Sequence, residues 1–133
     1  MTLIFCIEKS KGMLLFKKRH ATDNVLRQWI IEKTAGSNLW MSNYSAGQFK
    51  EKAIIKVDDE YDAKATDGDY CFVEDKGYDL EKTNEIILCN WNRKYPSDKF
   101  FDIDLKANGF KKVENFDIKG SSHEKITIET YRR

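Results

Sequence analysis

The chain has 133 residues, 41% of them apolar and 13% aromatic, which suits one folded domain with one core and excludes a disordered polymer. Its formal net charge of +1, from 23 basic and 22 acidic residues, argues against both a nucleic-acid partner and a membrane-surface partner. No apolar run approaches the ~18–20 residues a membrane helix needs, and Met1 to Glu8 lacks the basic leader and cleavage site of a signal peptide.

Thr2 to Glu8 is a short apolar run rich in β-branched and aromatic residues, which predicts a buried first strand. Ser10-Lys11-Gly12 reads as a turn. Met13 to Phe16 then reads as the tucked start of a loop that continues through the basic cluster Lys17-Lys18-Arg19-His20, a solvated face. Thr22 or Asp23 can cap a helix in which Val25, Leu26, Trp29 and Ile30 form the inward face, with Ala35-Gly36 as the stop. Leu39-Trp40-Met41 predicts a second strand. Ser45 caps a short helix running through Phe49 and Lys52, and Ala53 to Val57 predicts a third strand.

Asp58 to Gly68 is polar and acidic and reads as a surface connection. Tyr70 to Val73 is a fourth strand, Asp75 to Asn84 a polar connection with one helical turn near Leu80, and Ile86 to Trp91 a fifth strand. Phe110 to Ile118 and Lys125 to Tyr131 alternate in the manner of a hairpin around Gly120-Ser121-Ser122. Alternating strands and helices, followed by a hairpin, predict one α/β domain over 1–133. Its sheet is mixed and mostly parallel, with helices on its faces and an antiparallel end. The cysteines Cys6, Cys71 and Cys89 each lie in an apolar run, which predicts buried free thiols in a reducing, cytoplasmic compartment. Their spacing fits no zinc site.

The tail carries the most information. Glu85-Ile86-Ile87-Leu88-Cys89-Asn90-Trp91, then Asp98-Lys99-Phe100-Phe101, then Ile103-Asp104-Leu105 and two alternating segments, resembles the end of dihydrofolate reductase. The order strand, loop, helix, Leu39-Trp40-Met41 and a short capped helix resembles that family's opening. The resemblance implies a dihydrofolate-reductase-like sheet, trimmed by the short chain. It also implies a helix after Met41 whose N-terminus faces cofactor phosphates, an acidic residue on the first long helix, and a Gly-Gly pair after the central strand. The last two are missing. The inward face of the first helix is apolar, and Glu74-Asp75 follows Val73 where the glycines belong. At ~4 Å each pair of like charges costs ~1 kcal/mol even in bulk water, so NADPH is not expected, and no cofactor or metal is assigned.

The segments Leu39-Trp40-Met41, Asp69-Tyr70-Cys71-Phe72-Val73-Glu74, Trp91-Asn92-Arg93 and Gly120-Ser121-Ser122-His123-Glu124-Lys125 also resemble short bacterial proteins, some labelled ribonuclease Z. The zinc motif of that enzyme is absent, since the only histidines are His20 and His123. In size and compartment the chain is similar to the immunity proteins of contact-dependent growth inhibition. That resemblance implies a non-catalytic protein that blocks a toxin domain, plausibly a nuclease.

The residues expected at the partner are the acidic series Asp58, Asp59, Glu60, Asp67, Asp69, Glu74 and Asp75, with Arg93, Tyr95 and His123 as anchors. The alternative is a small enzyme, either a divergent nicotinamide-dependent reductase or a nuclease using the Ser122 to Lys125 segment. Alternation of faces along a strand argues against a relay among Ser122, His123 and Glu124 and predicts a surface His123. Asp102 and Asp104 would share a strand face without the third ligand a metal needs.

Overall fold

Leu3, Ile4 and Phe5 are buried on both sides because the strand they form, β1 (Thr2–Ile7), lies inside a sheet covered on each face. The computed structural model describes residues 1–50 and 54–133. The chain continues as β2 (Gly12–Leu15), β3 (Lys18–Arg19), α1 (Asn24–Lys33), β4 (Leu39–Met41), α2 (Asn43–Ala46), β5 (Ile55–Val57), α3 (Tyr61–Lys64) and β6 (Tyr70–Val73). It ends with β7 (Glu85–Asn90), β8 (Lys99–Phe100), β9 (Lys111–Ile118) and β10 (Ile126–Arg132).

The main sheet has the order β5-β4-β6-β1-β7-β10-β9. The pairings from β5 to β7 are parallel, with Leu3 opposite Cys71 on one side and Ile86 on the other. β10 runs antiparallel to β7 and closes with β9 as a hairpin. The expected α/β class and mostly parallel sheet are thus observed. Side chains alternate between two apolar layers. Leu3, Phe5, Cys71, Val73, Ile86 and Leu88 join Tyr61, Phe101 and Phe110 on one face. Ile4, Phe72, Ile87, Cys89 and Ile128 join Leu26, Ile30 and Phe49 on the other.

Several expectations are corrected. Residues 13–20 are no loop: β2 and β3 form a hairpin that joins β8 in a second, three-stranded sheet. Its turn places Phe16 at φ 50° and Lys17 at φ 65°, so the twist matches a primed hairpin turn although neither glycine nor asparagine announces it. Asp23 caps α1, accepting from the N–H groups of Val25 and Leu26, but Val25 points to solvent and only Leu26 and Ile30 are fully inside. Ser42, not Ser45, caps α2. The expected positions of Lys52 and Ala53 lie outside the described residues.

The acidic connection contains α3, which buries Tyr61. The segment near Leu80 is a turn closed by Thr83 N–H to the Leu80 carbonyl, not a helix. Asp102 and Asp104 are not on a strand, since Asp104 instead accepts from the Ala107 N–H in a turn. Cys71 and Cys89 are buried and Cys6 is half-buried, all as free thiols. Burial pushes the Cys71 thiol up to about 12, so it stays protonated.

Candidate functional site

Parallel pairing brings the C-terminal ends of β5, β4, β6, β1 and β7 to one edge of the sheet. In open α/β sheets ligands are received at that edge. The residues that follow these strands are Asp58-Asp59-Glu60, Ser42-Asn43, Glu74-Asp75, Glu8 and Trp91-Asn92-Arg93. A polar ridge therefore runs from an acidic end at β5 to a basic end at Arg93 and Lys94.

The N-terminus of α2 sits on this ridge with the N–H groups of Asn43, Ser45 and Ala46 already taken. The Asn43 N–H donates to Asp59 Oδ1 at 2.9 Å, and the Asn43 side chain donates to the same oxygen. These two hydrogen bonds hold the Asp59 carboxyl below the usual carboxylate range. The capping hydroxyl of Ser42 accepts from the Ser45 N–H and donates to Asp75 Oδ1 at 2.7 Å. The Ala46 N–H goes to the Ser42 carbonyl. Carboxylates of the chain itself thus occupy the helix end that a phosphate would need.

Glu74 does not line the ridge. Its side chain is 6% exposed and forms a fork with Arg19, Nε to Oε2 and Nη2 to Oε1, each at 3.0 Å. Gln48 donates to the same carboxylate at 3.2 Å. The Arg19 guanidinium lies 4.1 Å from the centre of the Tyr44 ring and donates to the Tyr44 carbonyl. Glu8 is likewise internal, at 1% exposure. It accepts from the N–H groups of Ser10, Gly12 and Tyr95 and ties the β2 turn and the 94–96 segment to the end of β1. A Cβ on Gly12 would meet Ser97 Oγ at 1.8 Å, so only glycine fits beneath that segment.

At the β7 end lies a buried knot. Asp23, 3% exposed, caps α1 and also accepts from the N–H groups of Ser121 and Ser122 and from the Ser122 hydroxyl. His123 Nδ1 is 3.1 Å from Asp23 Oδ2, and its Nε2 is 3.3 Å from the Tyr95 hydroxyl. Burial pushes the Asp23 carboxyl up, but the donors from Ser122, Ser121, His123 and Leu26 outweigh this and hold it far below its ordinary value. An ionised Asp23 accepts from His123 Nδ1 and so directs the His123 Nε2 edge to the Tyr95 hydroxyl. The Trp91 ring stacks on His123 at 4.4 Å. Tyr95 is covered in turn by His20 at 5.1 Å, and His20 Nε2 is 2.9 Å from Ser97 Oγ.

The expected partner residues separate accordingly. Asp58, Asp59 and Glu60 lie on the ridge. Asp67 and Asp69 lie at the opposite edge, where β6 begins, so the acidic series is not one surface. Asp69 is buried and accepts from Trp40, Asn38 and the Thr66 N–H. Asp69, Glu74 and His123 are therefore corrected as contact residues, because their side chains are inside and hydrogen-bonded. His123 is not in a strand, which begins only at Ile126, so the alternation argument did not apply and Ser122 Oγ comes within 3.2 Å of His123 Nδ1. Arg93 is exposed and donates to the Ser122 carbonyl, and Tyr95 is half-buried. Asp23, Glu8 and Arg19 were not anticipated as members of this region. The only local signal was a charge placed directly after an apolar run or at a cap. Among the described residues, no three His, Cys, Asp or Glu side chains group to hold a metal, and no helix is long and apolar enough to cross a membrane.

No family model matches the sequence, and no curated protein matches it significantly. Among solved structures the chain is similar to dihydrofolate reductase from Enterococcus faecalis complexed with NADP(H) and RAB-propyl. The TM-score is 0.65 at 13% identity, covering 99% of this chain and 95% of that one. At this identity the similarity shows the fold, a dihydrofolate-reductase-like sheet, and nothing about activity.

Proposed function

We propose that the chain is a non-catalytic binding protein, and that it acts in the cytoplasm as an immunity protein that covers a bacterial toxin domain of the nuclease class. One observation carries the binding reading: the N-terminus of α2, which in the reductase resemblance faces cofactor phosphates, is filled by Asp59 and by Ser42 committed to Asp75. The residues present do not fit a dinucleotide phosphate, so no reaction is routed through NADPH. The toxin-neutralising reading adds the resemblance of the Leu39, Asp69, Trp91 and Gly120 segments to short bacterial proteins. It also uses the polar ridge, whose exposed Asp59, Glu60 and Arg93 suit steering of a charged partner. Co-expression with a panel of nuclease toxin domains from contact-dependent growth inhibition systems tests it. Restored growth against a member of the panel is expected, and unrelieved killing by every member overturns it.

A second reading, a small enzyme, draws on the Asp23, His123 and Tyr95 chain, which orders a proton path ending at the half-buried Tyr95 hydroxyl. In that reading His123→Ala and Tyr95→Phe each abolish cleavage of RNA by the purified chain. Equal cleavage by both variants removes it.

A further inference from the structure

We propose that the β2–β3 hairpin is the anchor by which this chain grips its partner, and that the gripped surface is a carboxylate-rimmed apolar recess on a protein. This rests on the binding reading above and names the partner's chemistry.

Phe16 is 77% exposed at the hairpin tip, and both it and Lys17 adopt the left-handed backbone that side-chain-bearing residues rarely take. Exposure of a large ring on a strained turn is unfavourable twice over for the isolated fold, and such outliers point to function. The tip is held rigidly. The Phe16 N–H donates to Asp98 Oδ2 at 3.1 Å, Leu14 pairs with Arg19 and Leu15 with Lys18, and β8 flanks β2 on its other side. Below, Met13 and Leu14 are buried and Arg19 is fixed by Glu74. A ring presented on so fixed a support loses little freedom on binding, which is how hot-spot aromatics act.

Beside the ring lies a cleft of ≈ 390 Å³ with Leu15, Tyr95 and Pro96 in its wall, able to take an apolar side chain in return. Lys17, Lys18 and Lys99 are exposed around the tip, whereas the nearby carboxylate Asp98 is committed to the Phe16 N–H. Asp98 keeps its charge in that hydrogen bond, but three ammonium groups against one carboxylate leave this surface net positive, and an acidic rim on the partner complements it. A nucleic acid suits it less well. Single strands need a run of open aromatic faces, but Tyr95 is covered by His20 and Trp91 stacks on His123, which leaves only Phe16 and, on the far strand β8, Phe100.

The test measures, by calorimetry, affinity for the nuclease toxin domains of the co-expression panel, with growth protection alongside. Phe16→Asp and the pair Lys17→Glu with Lys18→Glu alter exposed positions, and circular dichroism checks that each folds. About 30-fold weaker binding is expected for either, with a salt-dependent loss in the wild type, while Lys106→Ala with Lys111→Ala, which removes two exposed charges elsewhere, changes affinity much less. If wild-type and Phe16→Asp chains bind and protect equally, the anchor is wrong and the immunity reading survives. If the wild type binds no toxin domain, both fall. Saturable amide shifts at residues 13–19 on titration with a uridine 12-mer would assign the surface to nucleic acid and overturn the proposal.

Discussion

The two ends of the sheet's carboxyl edge treat their acidic residues in opposite ways. Near β1 and β7, Glu8, Asp23 and Glu74 turn inward and are enclosed by donors. Near β5, Asp59 and Glu60 face water, and Asp59 takes its donors, among the described residues, from Asn43 at the exposed start of α2. The difference separates fasteners from contact groups. An enclosed carboxylate contributes to the fold through the partners it satisfies, and removing one partner leaves the other stranded. An exposed carboxylate contributes little to the fold and is free to meet a partner.

The largest effect is expected at Asp23, which joins the cap of α1 to residues 121–123 across about a hundred positions of sequence. Asp23→Ala should lower the unfolding free energy by about 4–5 kcal/mol in urea titration, because His123, the Ser122 hydroxyl and the N–H groups of Val25, Leu26, Ser121 and Ser122 lose their acceptor. A change near 1 kcal/mol would reduce Asp23 to an ordinary cap. Next comes Arg19→Ala, which strands the buried Glu74 carboxylate and should cost about 3 kcal/mol. The double change Arg19→Met with Glu74→Leu should recover most of that loss. If the double variant is as unstable as the single one, Arg19 matters through its packing on Tyr44 instead.

The pH dependence follows from the same enclosed groups. In Glu8 and Asp69, as in Asp23, burial pushes the carboxyl up but hydrogen-bond donors outweigh it. These are the N–H groups of Gly12, Tyr95 and Ser10 for Glu8, and Thr66, Trp40 and Asn38 for Asp69. Folded values below unfolded ones mean that this stability is complete above the unfolded range, about 3.9–4.3, and is lost as pH falls from there through the folded values. Unfolding followed from pH 7 to pH 2 should show a steep drop below about pH 4, shallower in Asp23→Asn. The smallest effect is expected at Tyr61, whose buried hydroxyl has no hydrogen-bond partner among the described residues. Tyr61→Phe should be neutral or stabilising by up to about 1 kcal/mol. A clear destabilisation would reveal a partner for that hydroxyl, such as a bridging water.

The strands with strong patterns were legible: the apolar runs at Leu3 and Ile87 and the alternation from Ile126 define β1, β7 and β10. A cap at Thr22 or Asp23 was legible because helix capping is local chemistry, and the fold selects Asp23. The β2–β3 hairpin was not, since Phe16-Lys17 lacks the residues that mark a primed turn and tertiary contacts impose the twist. α3 is only four residues within a polar stretch, and Tyr61 alone hints at burial. The candidate site was legible in position but not in polarity. Sequence places carboxylates after Val73, yet only the fold shows Glu74 turning to Arg19 while Asp59, from another strand, reaches the α2 terminus. Contacts such as Asp23 to Ser122 join segments too far apart for any local pattern to report.

The most direct test is titration of the purified chain with NADPH, following the amide signals of Ser42, Asn43 and Ser45 together with tryptophan fluorescence. With the α2 terminus already held by Asp59 and Asp75, those signals should stay unmoved to about 1 mM ligand. A saturable shift there, with quenching at the same concentration, would show a working phosphate seat and contradict the account.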